Sequence, residues 1–176
     1  MLVRKIGKGY AGVSVLRGFR EEWIDLMMQT RSRFANAYIQ AITIDRILDE
    51  NHVFLCLYNV VSAHEHGYGK MKRIDAELLL NISGLNRFED ALAETKPREG
   101  NPAFIVSYAD DQTAAVGILN SFLSSASSCQ ECPRTDWEKP GSLAKASGIK
   151  RKGGLSKKEA LDVLAESSAM FYVRYR

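Results

Sequence analysis

The stretch AFIVSYADDQTAAVGILNSFLSS, Ala103 to Ser125, decides the fold. Its first seven residues form a nearly unbroken apolar run with aromatic and β-branched members, the composition of a buried strand. Asp110 and Asp111 then place negative charge where a helix begins, which the helix dipole favours. From there Ala115, Ile118, Leu119 and Phe122 recur at the spacing of one helical face. A buried strand leading directly into an amphipathic helix excludes an all-helical or an all-β chain and points to helices laid on a sheet.

Upstream, KPREGNP (Lys96 to Pro102) is a loop rich in structure breakers. Further back, AYIQAITI (Ala37 to Ile44) reads as a second strand, and Val53, Phe54, Leu57, Val60, Val61 and His64 line one face of a mostly buried helix. Between them in kind stands REEWIDLMMQTRSRF, in which Trp23, Met27, Thr30/Arg31 and Phe34 recur helically after the acidic pair Glu21 and Glu22. Two short alternating runs open the chain, Leu2 to Ile6 and Val13 to Leu16, joined by a glycine-bearing segment that allows a hairpin turn. Downstream, residues 124–154 are rich in Ser, Gly and Lys with prolines at 133 and 140, an extended and flexible excursion. Order returns at Ser156, which with Glu159 makes a capping box ahead of Leu161, Leu164 and Ala169. The reading is an α+β (mixed α/β) fold over residues 1–176 as a single domain, with about four strands in an antiparallel or mixed sheet covered by about six helices.

The size of the chain agrees with one core: 176 residues can bury roughly 70% of the surface of the unfolded chain. At 45% hydrophobic and 26% charged, the composition excludes disordered and collagen-like classes. No run approaches the roughly 20 apolar residues that span a bilayer, and the start MLVRKIGKGY lacks the apolar centre of a secretory leader. A cytoplasmic location without membrane association is therefore expected. Three cysteines argue against a secreted disulfide framework. A net charge of +3 is too small to announce a nucleic-acid partner, so the position of the charge matters more than its total.

Chemical motifs are sparse. Cys129-Gln-Glu-Cys132 has the spacing of half a zinc site or of a redox pair, but without a second pair it reads first as two exposed thiols in a loop, with metal and redox roles as the alternatives. His64, Glu65 and His66 could serve in acid-base chemistry or hold a metal, yet near neighbours on a helix do not share a face, and His64 continues an apolar stripe. GIKRKGGLS lacks the Gly-Lys-Ser/Thr ending of a phosphate loop. No cofactor is implied. Two basic clusters remain: Lys70, Lys72 and Arg73, with Tyr68 beside them, and a later group that includes Lys150, Arg151 and Lys152. Each is either a solvated face or a phosphate-binding array, and Tyr68 tilts the first toward single-stranded nucleic acid.

The segment DAELLLNISGLNRFEDAL (Asp75 to Leu92) holds two short helices broken at Ser83-Gly84. The first bears Leu78, Leu79 and Leu80 in succession, so it is either buried on both sides or has a side that meets a partner.

Those residues carry a resemblance. AELLLNISGLNRFEDAL is similar to the Glu-Leu-Leu-x-x-Ser-Gly-x-x-Gln-Ile-x-x-Ala-Leu signature of the small subunit of the KEOPS complex, the PRPK-binding protein family. YIQAITIDRILDENHVFLCLYNVVSA resembles that family's strand and following helix, and EALDVLAESSAMFYV its closing helix. The chain departs from the pattern at Arg87-Phe88, where Gln-Ile is usual, and in the length of the 124–154 loop. The resemblance implies a non-catalytic subunit, not an enzyme, in the synthesis of threonylcarbamoyl adenosine in tRNA. It would bind the complex's kinase-like ATPase subunit through Leu79, Ile82, Leu85 and Phe88. It would recruit tRNA by the single-stranded 3′ end through Lys70, Lys72, Arg73, Lys150, Arg151 and Lys152. A protein-only scaffold without RNA binding and a small stand-alone enzyme are the competing readings.

Overall fold

The computed structural model describes residues 1–34, 36–126 and 156–174. The fold is α+β, with a four-stranded antiparallel sheet and, among the described residues, six α-helices. By internal contacts the described residues divide into two compact units, residues 1–44 with 96–126 and residues 45–95 with 156–174.

The first unit holds the sheet. Strands β1 (Leu2–Ile6), β2 (Gly9–Leu16), β3 (Ala37–Thr43) and β4 (Ala103–Ala109) lie in the order β1-β2-β4-β3. The opening hairpin turns tightly, with Ile6 opposite Gly9, so β2 starts earlier than its apolar pattern indicates. Its first residues are recruited by β4, which pairs Ala109 with Tyr10 and Ser107 with Gly12. Strand β4 is central and buries all seven residues, which is why its sequence is a continuous apolar run.

Helices α1 (Glu22–Ser32) and α5 (Gln112–Ser125) pack on this sheet. Helix α1 buries Trp23, Met27 and Thr30, and α5 buries Ala115, Ile118, Leu119 and Phe122. The apolar side chains among these join Leu16, Phe19, Ile39 and Ile105 in one core. Trp23 stands edge-on to Phe122 at 6.0 Å and to Phe19 at 5.8 Å, the geometry favoured by aromatic quadrupoles. The one serine of β4, Ser107, donates to the Ala115 carbonyl of α5 at 2.8 Å, so its hydroxyl is not orphaned in the core. The close approach explains the glycine opposite: a Cβ on Gly12 would stand 2.7 Å from Ser107 Oγ and 3.1 Å from Leu119. Asp111 caps α5, its carboxylate accepting from the Ala114 N–H at 2.8 Å. Asp111→Ala is expected to cost about 1 kcal/mol, read as a lower urea midpoint with an unchanged denaturant slope.

The second unit is helical: α2 (Glu50–Glu65), α3 (Ile74–Ser83), α4 (Phe88–Thr95) and α6 (Lys157–Arg174). Asp49 caps α2 by accepting the His52 N–H at 3.0 Å, and the buried His52 accepts the Leu48 N–H on Nδ1 at 3.3 Å. Helix α2 buries Val53, Phe54, Leu57, Val60 and Val61 as its periodicity predicts. Ser168 of α6 ties three helices together. Its hydroxyl accepts from Asn59 Nδ2 at 2.9 Å and donates to Asn81 Oδ1, while Asn81 Nδ2 donates to the Ser168 carbonyl at 3.1 Å. Beside this network lies the buried Cys56, whose thiol burial pushes up to about 12 against the lowering influence of the neighbouring Ser168 side chain, the setting of a packing thiol. The capping box of α6 forms as read: Ser156 Oγ accepts the Glu159 N–H at 3.3 Å and Glu159 accepts the Ser156 N–H at 2.9 Å. No helix among the described residues is long and apolar enough to cross a membrane.

Candidate functional site

The residues with chemical potential converge where α2 ends and α3 begins, all within the second unit. Helix α2 stops at Gly67, whose φ of +77° is the left-handed region that glycine enters without steric cost. The Tyr68 N–H reaches back to the Ala63 carbonyl at 2.9 Å and the Gly67 N–H to that of His64 at 3.2 Å, the paired bonds of a Schellman motif. His66 then projects beside Tyr68, with ring centroids 6.1 Å apart and planes inclined by 28°. Both side chains are exposed. His66 Nδ1 is held by the Ser62 carbonyl at 2.7 Å.

The segment then folds back over a buried carboxylate. Glu77, in the first turn of α3, is 0% exposed. It accepts hydrogen bonds from His64 Nε2 at 2.7 Å, from the Lys70 N–H at 3.0 Å and from the Met71 N–H at 3.0 Å. A buried carboxylate is tolerable only when donors replace its hydration, and three do so here. The Tyr172 hydroxyl of α6 is buried nearby; burial first, and the Glu77 carboxylate second, push its ionisation above the ordinary phenol range. Tyr172 also meets Tyr68 edge-on at 5.8 Å, and Lys70 Nζ lies 5.6 Å from the centre of the Phe171 ring.

The cations flagged by sequence differ in environment. Lys72 is exposed and Lys70 half-buried. Arg73 is exposed but forked onto Asp75 through Nε at 2.9 Å and through Nη2, so part of its charge is answered within the chain. Lys150, Arg151 and Lys152, like Cys129 and Cys132, lie outside the described residues.

The apolar residues assigned to a protein partner also divide. Leu79 is 2% exposed, so it is a core residue and offers no surface for docking. Leu78 and Leu80 are equally buried, which settles why three leucines stand in succession: α3 is packed on more than one side. Ile82, Leu85 and Phe88 are half-buried and flank Gly84, which closes α3 in the left-handed conformation at φ +69° with its N–H on the Leu80 carbonyl at 2.9 Å.

Sequence reading missed Glu77, Asp75 and Tyr172. Glu77 looks like an ordinary first-turn acid, yet it sits at helical spacing from Ile74 and Leu80, and a charge in an apolar stripe is the signal that could have exposed it. Asp75 was hidden in the same way, and Tyr172 behind an apolar run that reads as helix core. Among the described residues no group of three or more His, Cys, Asp or Glu side chains is placed to hold a metal. What the arrangement does physically is fix a short cationic and aromatic segment on a helical base. No family model matches the chain, and no curated protein is significantly similar to it.

Proposed function

We propose that this chain is a non-catalytic subunit of a KEOPS-type tRNA-modifying complex, which docks on the kinase-like ATPase subunit and recruits tRNA by its single-stranded 3′ end. The observation that carries the reading is the segment from His66 to Arg73. It sets an exposed tyrosine and histidine, stacked on each other, beside Lys70, Lys72 and Arg73. Unpaired bases stack on aromatic faces, and phosphates bind cations by releasing their counterions, so one segment offers both halves of what a single strand requires. The half-buried Ile82, Leu85 and Phe88 beside the Gly84 turn offer apolar anchors of the kind a protein partner covers. The resemblance of residues 76–92 supplies the assembly.

The test is tRNA binding across a salt series, with intact tRNA compared with tRNA trimmed of its 3′ single strand. Intact tRNA is expected to bind more tightly, and Lys72→Glu to weaken binding while lowering the slope of log affinity against log salt by about 1. Equal and negligible binding of both RNAs would leave a protein-only scaffold in place of this reading.

A further inference from the structure

We propose that Glu77 is the positioning residue of the RNA-binding segment, its buried carboxylate locking residues 68–73 into the shape that presents Tyr68, Lys70 and Lys72 to a single strand; the inference rests on the function proposed above. A surface segment that leaves a helix through a glycine turn would ordinarily sample many backbone states. This one is held at its far half by a side chain from the next helix. The Lys70 N–H lies 3.0 Å from both Glu77 oxygens and the Met71 N–H 3.0 Å from Oε2, so two successive peptide planes are fixed by one carboxylate. His64 Nε2, at 2.7 Å, fixes the carboxylate to α2 in turn. Glu77 has no exposed surface, so it does not itself meet a phosphate.

The passage of the chain over this pair is close. A Cβ on Gly69 would lie 2.9 Å from His64 Cδ2 and 3.2 Å from Glu77 Oε2, so only glycine fits between the cationic segment and the His64–Glu77 pair. The presenting side chains are braced from the same neighbourhood: Tyr172 meets Tyr68 at 5.8 Å, and the Phe171 ring lies 5.6 Å from Lys70 Nζ. The segment is therefore ordered on folding, and a bound strand need not order it.

Two variants test this. Glu77→Gln removes the charge but keeps the shape; Gly69→Ala keeps every charge and wedges the pair. Each is compared with the unaltered chain for tRNA affinity across a salt series and for amide hydrogen exchange at Lys70 and Met71, with folding checked by circular dichroism. Deleting a negative charge near phosphates would by itself tighten binding, so electrostatics alone predict a gain for Glu77→Gln. The proposal expects the opposite: affinity about tenfold lower in both variants, faster exchange at Lys70 and Met71, and an unchanged salt slope because the cations remain. Variants that exchange faster yet bind like the unaltered chain would overturn the proposal and leave the proposed function standing. Failure of the unaltered chain to bind tRNA would remove both. Unfolding of both variants would show that Glu77 serves the stability of the helical unit instead, and would also overturn the proposal.

Discussion

Phe122→Ala is expected to destabilise the sheet-bearing unit by about 3–5 kcal/mol. Phe122 is 0% exposed and closes the core between α5 and α1, edge-on to Trp23. Truncation removes the ring's transfer free energy and leaves a cavity whose walls, Trp23 on α1 and Ile118 and Leu119 one turn back on α5, belong to two helices and collapse into it only in part. Urea unfolding checks it, with a lowered midpoint at constant slope. Leu92→Ala, at a side chain 39% exposed on α4, should stay within about 0.5 kcal/mol, and a comparable loss there would show that the predicted contrast between core and surface is wrong.

The second large effect is acid destabilisation through His52. Burial lowers its ionisation to about 4 from the ordinary 6.5, with the Asp49 carboxylate pulling weakly the other way. The folded chain therefore keeps His52 neutral, with Nδ1 accepting the Leu48 N–H, under conditions in which the unfolded chain has already bound a proton. Because the folded value is depressed, the stabilisation is fully present above pH 6.5 and is lost as pH falls toward 4. A separation of this size corresponds to about 3 kcal/mol. His52→Asn should be less stable at neutral pH yet show a flatter dependence between pH 6.5 and 4. Parallel curves for the two proteins would assign the acid limb to other groups.

Much of the fold was legible because periodicity and burial coincide. AFIVSYA is the central strand, Ala115 to Phe122 is the buried face of α5, and the Ser156–Glu159 box opens α6. The start of β2 was not legible, since Tyr10, Ala11 and Gly12 carry no strand pattern of their own and become strand by pairing with β1 on one side and, on the other, with β4, a partner far away in sequence. The site was half legible for a related reason. Lys70, Lys72, Arg73 and Tyr68 stand next to each other in the chain and announce themselves by type. Glu77 and Tyr172 join them by packing alone, and a first-turn acid and a tyrosine in an apolar run look ordinary until their burial is known. Leu79 shows the converse error, because an apolar residue on an apolar helix carries no mark that separates a docking anchor from a core residue.

The order of the strands also has a consequence for how the chain acquires its structure. β4 joins β2 to β3, pairing Ala103 with both Leu16 and Thr43, yet among the described strands it is the last to be synthesised. Until it emerges, the opening hairpin is the only part of the sheet that local contacts can form, and β3 has neither edge satisfied. Sheet closure must therefore wait until α2, α3 and α4 have been made, a source of high contact order and slow folding. A nascent chain stalled before residue 103 would carry two apolar strands with unpaired edges, which are templates for pairing with other chains.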